Sequence, residues 1–196
     1  QEARGQGPVI KETIVTTLSP QGEAHVTPMG ASVIDGGYLL QPFRPSRTLE
    51  NLSAARAGAI NFTDDARIFA GCITGRHRSW PTVATSRIAG VRLESALTHE
   101  EFEVTRLEED AVRPRFFCRV VHREAHGPFL GLNRAVAAVI EGAILVSRLH
   151  MLDPDRVDRE MNYLSVAVDK TAGPAEREAW DWLCESVADH RARAAS

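Results

Sequence analysis

The stretch PFRPSRTLENL carries four residues able to hold an anion. Arg44 and Arg47 are charge-assisted donors, Ser46 and Thr48 carry hydroxyls, and a helix expected to begin near Thr48 would add the free amides of its first turn. Together they suit one phosphate. They suit equally well a solvated Arg-Pro-Ser-Arg connection leading into a capped helix. Thr27-Pro28-Met29-Gly30 is a second unusual stretch, because proline donates nothing to a β-ladder and glycine has no Cβ. It is expected to interrupt strand pairing and let a flat ligand approach the backbone; a bulged edge strand is the alternative. Asn61, in AINFTDD, is a carboxamide in a run otherwise fit for burial, so it needs partners, either in a ligand or at a strand end.

Other groups carry weaker chemistry. The polar segment TGRHRSWPTVATSR offers Trp80 to cover a planar ring, and Arg76, His77, Arg78 and Arg87 to attract an acidic small molecule or simply to meet solvent. His122 and His126 would share one face of a strand, but no third ligand stands at an obvious spacing, and no metal site is expected. Asp153, Asp155 and Asp158 lack the glycine and terminal glutamate of a calcium loop and read as helix N-terminal charge. The sequence contains no P-loop, dinucleotide glycine fingerprint or nucleophile elbow, so nucleotide hydrolysis and serine-esterase chemistry lack local support.

The elements that must position these residues fall into two chemistries. Residues 9–18, 24–33 and 37–43 are apolar, β-branched runs separated by Ser19-Pro20-Gln21-Gly22 and Asp35-Gly36-Gly37, hence three antiparallel strands. A short helix follows, with Thr48 as N-cap, Leu49, Leu52, Ala55 and Arg56 as its inner stripe and Gly58 as its end. A buried strand at 59–63 and a helix through 66–73 capped by Asp64-Asp65 come next. Strands resume at 90–97, 101–107 and 115–123.

Near residue 130 the apolar spacing becomes helical. Val136, Val139, Ile140, Ala143 and Ile144 mark one helix, and Asp153-Pro154 opens another with Val157, Met161, Leu164 and Val168 as its stripe. Gly173-Pro174 opens a third, with Trp180, Leu183, Cys184 and Val187 on its buried face. The fold class expected is α+β, mainly β: an antiparallel split β-barrel over residues 1–130, and a C-terminal helical bundle over residues 131–196 packed on it.

Composition narrows the function classes. A formal net charge of −3 gives no general attraction to nucleic acid or anionic lipid. Three cysteines, far apart and odd in number, fit a reducing cytoplasm better than a disulfide framework. The polar, glycine-containing start at residues 1–8 and the short apolar runs elsewhere indicate neither secretion nor membrane insertion.

Strands in this order, with a helix inserted after the third, resemble the FMN-binding split-barrel superfamily, which includes pyridoxamine-phosphate oxidases and flavin reductases. The segments KETIVTTLSPQGEAHVTPMGASV, PFRPSRTLENL, AINFTDDAR and NRAVAAVIEGAILVSRL look like the split-barrel family known as domain of unknown function four-four-seven, over roughly residues 10–187. The resemblance implies a homodimer with each FMN lodged between two subunits. It places Thr27, Pro28, Met29 and Gly30 beside the isoalloxazine and favours the phosphate for Arg44, Ser46, Arg47 and Thr48; by side-chain chemistry alone, Asn61 suits the uracil-like edge and Trp80 suits covering a second ligand or the partner subunit's FMN. The function implied is an FMN-dependent oxidoreductase acting on a small-molecule substrate or electron donor, with flavin carrying the electrons. The alternative is a non-catalytic FMN- or pterin-binding store, sensor or carrier linked to one-carbon metabolism.

Overall fold

The computed structural model describes residues 7–196. Most of the polar start thus lies outside the described residues. The chain divides into two compact units, one running through Phe62 and resuming over Pro81–Gly127, the other made of Thr63–Trp80 and Pro128–Ser196. Composition changes near residue 130, whereas the division in space also assigns the 63–80 segment to the helical unit.

In the first unit, β1 (Ile10–Leu18), β2 (Ala24–Ile34), β3 (Gly37–Leu40), β4 (Ala57–Phe62), β7 (Thr98–Glu108) and β8 (Arg115–Ala125) close an antiparallel barrel in the order β1-β2-β3-β8-β7-β4. Strands β5 (Thr82–Ala84) and β6 (Val91–Leu93) form a separate two-stranded sheet. The split barrel expected from the sequence is present. Its interior is filled by Val15, Leu40, Ile60, Phe102 and Phe116, all fully buried. Gly58 belongs to β4 rather than ending a helix: a Cβ there would stand 2.8 Å from Phe102 Cζ, so the missing side chain makes room for the core aromatic.

Helix α1 (Arg47–Ala55) begins two residues earlier than the Thr48 cap would require, because Ser46 is the N-cap and its Oγ accepts the Leu49 amide at 3.2 Å. Arg56, in the left-handed region at φ 55°, ends it and returns its N–H to the Leu52 carbonyl. Leu49 and Leu52 are buried as expected, while Ala55 and Arg56 are exposed.

The second unit holds α2 (Ala66–Thr74), α3 (Arg134–Ser147), α4 (Pro154–Thr171) and α5 (Pro174–Ala194). Asp65, Asn133 and Asp153 cap the first three with side-chain acceptors. Alanines 66, 70, 135, 138, 143 and 179 pack with Val139, Val168, Trp180 and Leu183. Small residues let the helices approach closely: a Cβ on Gly142 would come within 3.1 Å of the Trp180 ring. Cys184, expected on the buried face of α5, is exposed, and Ala179 takes an inner position instead. No helix among the described residues is long and apolar enough to cross a membrane.

Candidate functional site

The Thr27–Gly30 stretch does not break its ladder with β1. Thr13 stands opposite Met29, Ile14 opposite Pro28 and Glu12 opposite Gly30, so the expected interruption is absent on that side. The gap lies on the other edge. Strand β3 pairs with β2 only at Ser32, Val33 and Ile34, and among the described residues no strand pairs with Thr27–Gly30 on the side away from β1. A proline without N–H and a glycine without side chain occupy an edge that the barrel leaves open, where proline costs no ladder bond. Side-chain alternation sends Met29 and Ala31 toward the core and leaves Pro28 and Gly30 on the opposite face.

The anion candidates are split between two surroundings. Arg44 forms an exposed ion pair with Glu109, Nη2 to Oε2 at 3.0 Å. Ser46 is engaged as helix cap, and Thr48 is buried. Arg47 is exposed and, among the described residues, has no ion pair; it lines a depression of about 190 Å³ with Ser19, Gln21, Glu23, His25, Glu50 and Asn51. Asn51 reads in the sequence as an ordinary surface polar residue. It is in fact buried, and its Nδ2 donates to Thr17 Oγ1 at 3.0 Å, tying α1 to β1.

Asn61 is fully buried, with both amide hydrogens and its carbonyl oxygen engaged inside the protein. Its Nδ2 donates to the Ile14 carbonyl at 2.9 Å and to Thr16 Oγ1 at 3.0 Å, and its Oδ1 accepts the Leu93 amide at 2.8 Å. It clasps β1, β4 and β6, with Thr16 Oγ1 adding a bond to the Val91 carbonyl at 2.6 Å. Of the two partner types open to it in the sequence, the structure supplies neighbouring strands.

The cationic segment after α2 is divided: residues 74–80 belong to the helical unit, and Arg87 to the barrel unit. Arg76 pairs with Glu185 at 2.8 Å, the His77 amide bonds the Gly71 carbonyl, and Trp80 Nε1 donates to the His77 carbonyl at 3.1 Å while its ring meets the His77 ring edge-on. Trp80 therefore stands in the unit that does not contain Thr27–Gly30, Arg44, Arg47 or Asn61.

The structure also gathers a cluster that sequence spacing concealed. His99, Glu101 and His122 converge, with His99 Nε2 at 3.4 Å and His122 Nε2 at 3.9 Å from Glu101 Oε2. Behind them His99 Nδ1 lies 2.8 Å from His126 Nε2. Glu101 is captured by the turn between β5 and β6, its Oε1 accepting the Ser86 and Arg87 amides, each at 2.8 Å. Burial would raise the Glu101 carboxyl, but the amides of Arg87, Ile88 and Ser86 and the His99 ring hold it below the usual carboxylate range. Burial pushes His99 the other way, toward the neutral ring, against the pull of Glu101.

The reason His122 joins is a β-bulge. Glu101 pairs with His122 and Phe102 with Val120, so Val121 is an extra residue in β8. Plain alternation from Phe116, Cys118 and Val120 would turn His122 into the core; the extra residue turns it outward onto the Glu101 face. The legible signal was His99-Glu100-Glu101, an H-x-E pair on one strand face, but a strand expected to start at residue 101 placed His99 outside it.

Comparison with known families decides the relationship. The family described as "Protein of unknown function (DUF447) N-terminal domain" matches residues 11–127, and its companion "Protein of unknown function (DUF447)" matches residues 133–185. The chain belongs to the DUF447 family. Among solved structures, this DUF447 chain is similar to an FMN-bound DUF447 protein from Methanosarcina mazei at 18% identity and a TM-score of 0.78, covering 91% of this chain and 95% of the other. It is more distantly similar to the 2-nitrobenzoate 2-nitroreductase of Pseudomonas fluorescens, at 16% identity and a TM-score of 0.52 over 62% of this chain and 67% of that one. An FMN-binding protein from Thermus thermophilus with bound p-hydroxybenzaldehyde matches at 17% identity and 0.51, over 67% and 85%. These likenesses establish the split-barrel fold for the DUF447 chain. No curated protein matches its sequence significantly.

Proposed function

We propose that this chain is an FMN-binding flavoprotein and that it works as an oxidoreductase on a small molecule, as a homodimer. The observation that carries the reading is the similarity, over nine-tenths of the chain, to a DUF447 protein whose structure contains FMN. The nitroreductase sharing the barrel favours redox use of the flavin over storage.

The residues present fit the group in part. Thr27–Gly30 offers an edge of main chain that, among the described residues, no strand takes up on one side, with no side chain on Gly30 to obstruct a planar ring. Arg47 and the first-turn amides of α1 that precede Leu49 offer an anion site, although Glu23 and Glu50 share the depression that Arg47 lines. Arg44 would join the phosphate by exchanging Glu109, a change that an exposed pair permits at little cost. Asn61 supports β1 and β6 through bonds already made and stands apart from the flavin contacts. FMN, when bound, supplies the electron transfer; the protein groups bind and orient it.

The test is the absorption spectrum of freshly purified protein with the mass of whatever heat releases. Flavin bands, an FMN mass and rapid bleaching by a reduced nicotinamide are the expected outcome. A colourless protein that takes up no added FMN overturns the reading, and tight FMN with no turnover against any donor reduces it to a flavin carrier.

A further inference from the structure

The His99, Glu101 and His122 cluster has no part in the flavin reading. Its side chains are sheltered: those of His99 and Glu101 are fully buried and that of His122 is 25% exposed. We propose that these three residues form a binding site for a divalent first-row transition cation of the zinc type, with a fourth position left open.

The separations fit shared ligation better than hydrogen bonding. Ligand atoms about 2.0–2.1 Å from a tetrahedral ion stand roughly 3.3 Å from one another. A charge-assisted N–H to carboxylate bond closes to about 2.7–2.9 Å. The observed 3.4 Å and 3.9 Å are long for the second geometry and close to the first, the remaining half-ångström falling to His122, the most exposed of the three.

The donor types agree. Two imidazoles and one carboxylate form a set that zinc takes when a coordination position is kept for water or substrate. The site is also oriented from behind. Glu101 Oε1 is occupied by the Ser86 and Arg87 amides, which turns Oε2 toward the two rings, where the Ser86 amide reaches it at only 3.2 Å. In the tautomer in which His99 Nδ1–H donates to His126, the Nε2 lone pair faces the Glu101 carboxylate, an arrangement that an intervening cation stabilises. Glu124 and His126, both exposed, gather around the opposite nitrogen of His99 and act in this site as outer partners.

The experiment uses the untagged chain, treated with chelator and titrated with zinc chloride by calorimetry, with cobalt(II) absorption reporting the geometry. Its readout is independent of flavin. One zinc ion per chain, four-coordinate cobalt bands and a zinc-dependent rise in melting temperature are expected. His122→Ala, and His122→Gln as a second rim variant, should weaken zinc by about tenfold or more and abolish the rise. His150→Ala, at an exposed histidine of the helical unit, should bind as the parent does. Absence of saturable, stoichiometric zinc binding, or binding unchanged by both His122 substitutions, overturns the site.

Discussion

The carboxamide oxygen of Asn61 accepts the backbone N–H of Leu93 at 2.8 Å, so one side chain on a barrel strand holds the small sheet beside it. The same carboxamide spends both donor hydrogens on β1. Asn61→Ala would take the acceptor from the Leu93 amide and a donor from Thr16 Oγ1, and should lower unfolding free energy by roughly 1–3 kcal/mol in urea titrations. A change within experimental error would show that water or another residue takes over these bonds.

Arg44 and Arg47 differ in what they must give up to meet a phosphate. Arg47→Ala should weaken FMN by about 1.5–3 kcal/mol, measured by quenching of flavin fluorescence. Glu109→Gln should tighten it, because the variant releases Arg44 from its pair. Unaltered affinity in both variants would remove this loop from the cofactor site.

Gly30→Val places a Cβ about 3.0 Å from Ile10 Cγ2, an exposed side chain able to turn aside. The expected result is a folded protein with a normal circular dichroism spectrum and depleted flavin. Full flavin content would mean that the ring does not approach this edge.

Trp180 is 7% exposed and sits among alanines and Leu183, with Gly142 shaped to its ring. Trp180→Ala should cost about 3–5 kcal/mol, because a helical core stapled by one large side chain cannot collapse around its loss. Thermal and urea unfolding measure it, and an unchanged midpoint would contradict the packing described.

The thiols should report the core directly. Burial pushes Cys118 up to about 12 and Cys72 up to about 11, so neither supplies thiolate near neutrality. Cys184 is exposed, but partial burial together with Asp181 and Glu185 also raises it. A disulfide reagent should therefore modify one thiol in the native chain, more slowly than a free cysteine, and three after denaturation. Fast native reaction of all three would disprove the buried assignments.

Much of the fold was legible because its signals are local. Period-two runs with β-branched residues specify strands whatever their neighbours, and Asp153-Pro154 and Gly173-Pro174 specify helix starts through backbone chemistry alone. Errors arose where two local signals competed. Ser46 and Thr48 are both good caps, and tertiary packing chose Ser46 by burying Thr48. Gly58 is a plausible helix stop, but Phe102, far along the chain, needed the space its side chain would fill.

The site was less legible, since its residues act through partners remote in sequence. The sequence by itself determined most of the barrel strands, the helices, the low net charge and the family to which they belong, because each is written in neighbouring residues; Thr82–Ala84, in a polar segment with no strand signal, is a strand only through its pairing with Val91–Leu93. Only the tertiary structure decided that β2 keeps its ladder with β1 and opens on its other edge, that Asn61 on β4 binds β1 and β6, and that Val121 bulges to bring His122 onto Glu101. Those outcomes depend on strand register, and register is set by the packing of all six strands at once rather than by any one of them.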